Sequence, residues 1–391
     1  MLNKPFSPWP SFTQEEADAV SRVLLSNKVN YWTGQECREF EKEFAIFSGV
    51  KHAIAVANGT LALDLALVGL GIGAGDEVVV TPRTFLASVS CIVTAGAIPV
   101  FADVDRDTQN ITEDSIRDVL SPRTKAIICV HLAGMPCDMD PIMVLAKERG
   151  LYVIEDCAQA HGATYKGRSV GSIGHVGAWS FCQDKIMTTG GEGGMVTTND
   201  RALWSRMWSY KDHGKSWEAV YERQHPPGFR WLHESFGTNW RMTELQAVIG
   251  RIQLHRMPAW RAERLRNAYQ IWLTAEKLPG LRVPAIPEWA GHAAYKCYVF
   301  VEPDKLKPGW NRDRIMNEIN QRGVPCFSGS CSEVYLEKAF DGTGWRPAER
   351  LPVAQALGET SLMFLVHPGL EGEQMDRTCA VIQDVMRLVV G

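Results

Sequence analysis

Residues 124–156 read TKAIICVHLAGMPCDMDPIMVLAKERGLYVIED, and this stretch decides the fold class. AIICVHL has strand length and is apolar on both faces, DPIMVLAKERG has helical length and ends on glycine, and YVIED is a second apolar, β-branched run. A strand, a helix and a strand in succession make a parallel pair joined by a right-handed crossover. Strands with no polar face belong to a sheet covered by helices on both sides.

The same alternation runs towards the N-terminus through KHAIAVANG, LALDLALVGLG, DEVVVTP, TFLASVSCIVTAG, IPVFADVD and TEDSIRDVL, so the chain is expected to be α/β with a parallel sheet. Ahead of it, Thr13 followed by Glu16 has the form of a capping box before the apolar positions Val20, Val23 and Leu24, which predicts a helix from about residue 11. Past residue 200 the stretch RALWSRMWSYKDHGKSWEAVYERQHPPGFRWLHESFG reads as a polar, aromatic loop, longer than a compact domain keeps without a functional reason. Several of the 13 tryptophans fall between Trp204 and Trp260, and this stretch is expected to form an interface. A helical connector is predicted from Met242 to about Glu276, interrupted at Pro258. It leads to a smaller α+β domain with strands in YKCYVFVEP, VPCFSG and LMFLVHP, a helix in NRDRIMNEINQRG, and a closing helix with apolar positions Met375, Cys379, Ile382, Met386 and Val389. The division expected is residues 1–250 for the large domain with its N-terminal helix and 251–391 for the connector and small domain. No internal repeat is visible.

A chain of 391 residues exceeds what one core supports, and 45% apolar with 22% charged residues is the composition of a globular protein. A net charge of -4 argues against nucleic-acid binding by bulk charge. No apolar run approaches the roughly 18 residues of a membrane span, and MLNKPFSPWPSFTQEE has no apolar core of a signal peptide, so a cytoplasmic protein without membrane attachment is expected. The 10 cysteines have no zinc-finger spacing and read as small buried hydrophobes.

Some motifs are decoys. Gly71, Gly73 and Gly75 precede a strand, whereas a dinucleotide fingerprint follows one; they read as a helix end and turn. Gly167, Ser169 and Gly171 match G-x-S-x-G, but ATYKG before them is turn-like and not the buried strand of a nucleophile elbow, so a hairpin is expected. His213, His225 and His233 lack metal-ligand spacing, and no metal site is expected.

Three pieces carry chemistry. Asp156 ends an apolar strand, where a carboxylate costs several kcal/mol unless a cation or hydrogen-bond donors meet it. Lys185 stands between the apolar run Val176–Phe181 and a glycine-rich turn; a lysine taken out of water can serve as a free amine and form a Schiff base. Asn58-Gly59-Thr60 turns a strand into a helix, whose free N–H groups suit a phosphate. Each has an ordinary structural reading alone. Together they supply an amine for an aldehyde, an anionic partner for a ring nitrogen and a phosphate cradle, the set that pyridoxal 5'-phosphate requires.

The segments NGTLALDLAL, TPRTFLASVSCIVTAGAIPVFADVD, EDCAQAHGATYKGRSVGSIGHVGAWSFCQDKIMTTGGEGGMVTTND and NWRMTELQAVIGRIQL resemble, in order, the blocks of the DegT/DnrJ/StrS family of sugar aminotransferases, of the fold type I pyridoxal-phosphate class. The resemblance runs from about Trp32 to the C-terminus and implies a large domain with a mostly parallel seven-stranded sheet. It implies that Lys185 carries the cofactor and shuttles the proton, and that Asp156 keeps the pyridine nitrogen protonated. Gln159 would meet the ring's phenolic oxygen, Phe85 would stack on the ring, and Gly59, Thr60 and Ser180 would hold the phosphate. Asn239 would reach the phosphate of a neighbouring subunit in a homodimer with shared sites. His161 and Arg241 are candidates for contacting substrate.

Cys182 stands where many members have His, TTGGEGG is one glycine longer than the usual turn, and GVPCFSGSCSEVYL lacks the histidines and tyrosine common there; these departures bear on the sugar, not on the cofactor. The function implied is transfer of an amino group from glutamate to a nucleotide-linked keto sugar, at C4 of a 4-keto-6-deoxy sugar, in surface polysaccharide or glycoconjugate biosynthesis. Alternatives are a C3-keto-sugar or keto-cyclitol aminotransferase and a non-catalytic or regulatory protein of the same fold. The related dehydratases carry His in place of the lysine, and Lys185 argues against them.

Overall fold

The computed structural model describes residues 5–390. Two helices open the chain, α1 (Gln14–Leu25) and α2 (Glu36–Ser48). The Thr13 N–H donates to the Glu16 carboxylate at 2.6 Å, so the capping box is formed. Then come β1 (His52–Val56), α3 (Gly59–Leu70), β2 (Glu77–Val80), α4 (Ala87–Thr94), β3 (Ile98–Phe101), α5 (Glu113–Arg117), β4 (Thr124–Val130), α6 (Met139–Arg149) and β5 (Tyr152–Asp156). A hairpin of β6 (Thr164–Tyr165) and β7 (Arg168–Ser169) precedes β8 (Val176–Ser180), β9 (Gly194–Thr198), α7 (Arg201–Lys211) and α8 (Trp217–Tyr221). The G-x-S-x-G match is thus a hairpin, and Gly71 is the left-handed cap of α3.

The main sheet has seven strands in the order β1-β9-β8-β5-β4-β2-β3. Every neighbouring pair is parallel except those made by β9, which runs against both β1 and β8. β2, β8 and β9 are buried along their whole length, as strands between two helical layers must be. The carboxyl ends of β4, β5 and β8 and the start of α3 meet at one edge, where sheets of this kind place their sites.

A single helix, α9 (Glu244–Ala275), follows, with Pro258 inside it. The expected interruption does not occur. A proline in a helix interior costs about 3 kcal/mol or more, and here buried side chains on both sides of it, among them Leu254, Met257, Arg264 and Ala268, hold the two halves in line. The smaller domain comprises β10 (Leu281–Arg282), β11 (Ala290–Gly291), β12 (Cys297–Val301), α10 (Arg312–Gln321), β13 (Cys326–Phe327), α11 (Pro352–Thr360), β14 (Ser361–Phe364) and α12 (Gly372–Val389). Its sheet runs β10-β12-β14-β13, and β11 instead joins the β6–β7 hairpin. The closing helix buries Met375, Cys379, Ile382, Met386 and Val389 on one face.

The tryptophan-rich stretch departs from expectation. It is not one loop: α7 is capped by the Asp200 carboxylate, which accepts from the N–H groups of Ala202 and Leu203, and Trp204 and Trp208 point into the core of the large domain. The large apolar side chains that remain exposed in this stretch are Tyr221, Phe229, Trp231 and Phe236.

Candidate active site

A cleft of about 660 Å³ opens at the carboxyl edge of the sheet, lined by Asn58, Gly59, Thr60, Thr84, Phe85, Ser88, Asp156, Gln159, Ser180, Asp184, Lys185 and Glu192 among others. Gly59, Thr60, Phe85, Asp156, Gln159, Ser180 and Lys185, each an expected cofactor-binding residue, thus meet in one place although they come from separate segments of the chain.

Asp156 is 4% exposed at the end of β5. Its Oδ2 accepts from the Ser88 hydroxyl at 2.7 Å and its Oδ1 from the Ala158 N–H at 3.0 Å. Thr84 and Ser88 hydroxyls lie 2.8 Å apart, extending the chain of bonds to the lip. Burial still pushes the Asp156 carboxyl above its ordinary range, against the bonds from Ser88 and Ala158 and the charge of Lys185. A protonated ring nitrogen placed there would relieve that burial.

Behind it lies a second carboxylate that sequence reading passed over. Glu155 accepts from the backbone N–H groups of Gly171, Ile173 and Gly174 and lies 3.0 Å from His131 Nε2. His131 Nδ1 accepts from the Cys137 N–H at 3.0 Å, which leaves Nε2 to carry the proton and donate it. Burial alone would raise the Glu155 carboxyl, but His131 and these N–H groups outweigh it and hold it low. Glu155, His131 and Cys157 form the one close set of metal-type ligands among the described residues, and the Glu155 and His131 atoms are already committed to this network.

At the start of α3 the Asn58 side chain accepts from the Leu61 N–H at 3.0 Å. The N–H groups of the first turn have no acceptor within the helix and carry the positive end of its dipole. Gly59 is required: a Cβ there would come within 2.5 Å of the Ser180 Cβ, so only glycine lets the helix start abut the end of β8. The Ser180 hydroxyl accepts from the Cys182 N–H at 3.3 Å.

Lys185 enters the cleft after β8. Its Nζ lies 3.6 Å from Asp184 Oδ1 and 5.6 Å from the centre of the Tyr295 ring, and Tyr295 donates its hydroxyl to Asp184. Gln159 Oε1 accepts from the Ala133 N–H at 2.9 Å, which turns the amide nitrogen into the donor available to a ligand. Ala133 has a left-handed backbone, φ 57°, and its carbonyl accepts from the Tyr295 N–H at 3.0 Å. The smaller domain thereby touches both the Gln159 and the Lys185 sides of the cleft. Phe85, 69% exposed, stands at the lip.

Three expected residues lie elsewhere. His161 is fully buried, its ring 5.4 Å from that of Trp179 and 5.6 Å from that of Phe181, so a substrate cannot reach it. Arg241 donates to the buried Asp212 at 2.6 Å; its charge is spent inside the chain and it does not line the cleft. Asn239 is exposed and outside the lining. Sequence reading missed Ser88, Asp184, Glu192 and Tyr295; the polar residues of TPRTFLAS directly after an apolar strand were the available signal for Ser88, whereas nothing local marks Tyr295.

The residues present therefore fit pyridoxal phosphate: an amine, a buried carboxylate seeking a cation, and a helix N-terminus closed tightly against Ser180. No helix among the described residues is long and apolar enough to cross a membrane. The family model for DegT/DnrJ/EryC1/StrS aminotransferases matches residues 10–383. An aminotransferase structure from Psychrobacter cryohalolentis is 68% identical, covers 98% of this chain and 99% of that one, and superposes with a TM-score of 0.97. GDP-perosamine synthase of Caulobacter vibrioides is 38% identical over 381 residues, 96% of this chain and 97% of that protein. The UDP-N-acetyl-3-dehydro-alpha-D-glucosamine 3-aminotransferase of Acidithiobacillus ferrooxidans is 37% identical over 384 residues, 98% of this chain and 96% of that protein. The chain belongs to the DegT/DnrJ/EryC1/StrS family and is a pyridoxal-phosphate-dependent aminotransferase.

Proposed function

We propose that the protein moves an amino group from glutamate to C4 of a nucleotide-linked 4-keto-6-deoxy sugar in the synthesis of surface polysaccharide or glycoconjugate. The observation that carries the chemistry is the convergence of Lys185, Asp156 and the α3 start on one cleft. Pyridoxal phosphate, when bound, supplies an electron sink. Asp156 would hold a proton on the ring nitrogen, the Gln159 amide N–H is free to donate to the phenolic oxygen, and Phe85 at the lip would cover the ring. The first-turn N–H groups at Gly59 and Thr60, with Ser180, would hold the phosphate. Lys185 would move the proton between the reacting carbons. Donor and acceptor carbons must occupy the same position beside Lys185 in turn, so the donor leaves before the sugar enters.

Amination at C4 is favoured by the Thr188-Thr189-Gly190-Gly191-Glu192 turn, which resembles that of C4-acting members, and by the GDP-perosamine synthase relative. A C3-keto sugar is the second reading, favoured by the relative named as a 3-aminotransferase; a keto-cyclitol is a third acceptor to test. The test is a pair of half-reactions. Glutamate should shift the visible absorption of the loaded enzyme and release 2-oxoglutarate, and a nucleotide-linked 4-keto sugar should restore it. Restoration by a 3-keto sugar or keto-cyclitol alone would overturn the position and leave the transamination standing.

The working unit of this reading is a homodimer sharing its sites, supported by the exposed Asn239 and the exposed Phe229, Trp231 and Phe236. Mixing Lys185→Ala and Asn239→Ala subunits should restore part of the activity, since one of two sites in the hybrid is intact. A fully active monomer would refute it.

A further inference from the structure

Behind Lys185, on the side away from the cleft, lies a buried basic cluster that the reaction does not use. Arg264, on α9, is 1% exposed. Its Nη1 donates to the Tyr295 carbonyl at 3.4 Å and its guanidinium carbon lies 4.9 Å from the centre of the Trp9 ring. Among the described residues its Nε and Nη2 have no partner and no carboxylate pairs with it. Those two N–H groups form the side edge of the guanidinium, the edge that grips both oxygens of a planar oxyanion.

The surroundings are equally one-sided. His367, 4% exposed, stacks on Trp9 with ring centroids 5.6 Å apart, and its Nδ1 has no partner among the described residues. His161 lies on the Lys185 side, close to the Ser180 backbone but with neither ring nitrogen in hydrogen-bond geometry. Burial, with Lys185 and Arg264 beside His161 and Arg264 beside His367, lowers the imidazoles to about 3 and about 4, so at neutral pH both are uncharged and can each offer an N–H. Burial lowers Arg264 only to about 9, so it keeps its charge. Half-buried Arg261 adds another Nε without a protein partner on the same helix. Water can accept these hydrogen bonds, but it supplies no opposite charge, and an uncompensated buried cation is strongly destabilising. The Trp9 indole N–H donates to the Lys185 carbonyl at 2.8 Å, so the N-terminal arm both covers this cluster and touches the backbone of the catalytic lysine.

We propose that Arg264, His367 and Trp9 form an internal binding site for a small monovalent oxyanion of the formate, nitrate or bicarbonate class, at the junction of the N-terminal arm, α9 and the smaller domain. The near-complete burial of the guanidinium excludes a dicarboxylate donor or a nucleotide. An anion bound there stabilises the folded chain by mass action and helps seat the arm on Lys185.

The test measures the melting temperature and tryptophan fluorescence of the full-length enzyme while formate or nitrate replaces gluconate at constant ionic strength. A saturable rise of about 2–4 °C is expected, with a fluorescence change of the same midpoint, and Arg264→Met should abolish both. A linear response, or one that Arg264→Met leaves intact, overturns the proposal. If that variant does not fold, crystals of the unmodified enzyme grown in formate decide: the anion on Arg264 Nε and Nη2 supports the site, whereas ordered water alone, or a carboxylate from another subunit, overturns it. Neither readout depends on turnover, so failure here is distinct from failure of the aminotransferase reading.

Discussion

On the floor of the cleft the polar groups are held before any ligand arrives: Asp156 by Ser88 and Ala158, Gln159 by Ala133, Glu155 by His131 and three backbone N–H groups. At the rim, Phe85 is 69% exposed and the Asp184 side chain is 62% exposed despite its bond from Tyr295. The floor is preorganised for one chemical step, and preorganisation is what makes fixed dipoles effective. The rim side chains are exposed and fewer bonds hold them, so substitutions there are expected to act on which sugar is accepted.

Substitutions on the floor should therefore damage chemistry or stability, and those on the rim should act on substrate choice. Lys185→Ala should abolish transamination, and borohydride reduction of the loaded unmodified enzyme should place the pyridoxyl label on Lys185; label on another lysine would break the comparison at its root. Asp156→Asn should keep the fold and slow both half-reactions on the order of a thousandfold, about 4 kcal/mol of barrier. Near-normal turnover in a folded variant would remove Asp156 from the mechanism. Glu155→Gln should lower stability by about 3 kcal/mol, read as a shifted denaturation midpoint. A normal midpoint would mean that its network is ornamental.

Acid should act through the buried histidines. The folded-state values of His161 and His367 are depressed, to about 3 and about 4, from the ordinary 6.5 that the unfolded chain keeps. The unfolded state thus binds more protons below pH 6.5, so their contribution is complete above that pH and is lost as pH falls towards 4. The melting temperature should decline over that window, and His161→Phe should make the decline shallower. The smallest effect is expected at the rim: Phe85→Ala should change turnover with glutamate by no more than about tenfold, about 1.4 kcal/mol, with a larger effect on the keto-sugar half-reaction. Equal losses in both would place Phe85 with the floor.

Legibility in the sequence followed the same division. The strands and helices of the large domain were readable because an apolar run has one period or the other, and Asp156 and Lys185 because a charge beside such a run needs a partner. Ser88 and Tyr295 come close to those two only through folding, from segments far away in the chain. His161 and Arg241 misled in the opposite way, since a polar residue type near a motif does not reveal whether its charge is already spent, as Arg241's is on Asp212. The helical spacing of Trp204 and Trp208 was masked by the polar residues around them, and Pro258 suggested a break that packing on both sides overrides.

The 32-residue helix α9 also bears on how the molecule comes apart. Its first half buries Ala247, Leu254 and Met257 in the large domain's core and its second half buries Ala268, Ile271 and Ala275 in the smaller one's. Melting either core strips one half of the helix of its packing, and a helix in water gains little from its own hydrogen bonds. The two domains should thus lose structure together in a single calorimetric transition. Pro258, where a helical hydrogen bond is already missing, marks the point at which a second substitution would let them melt separately.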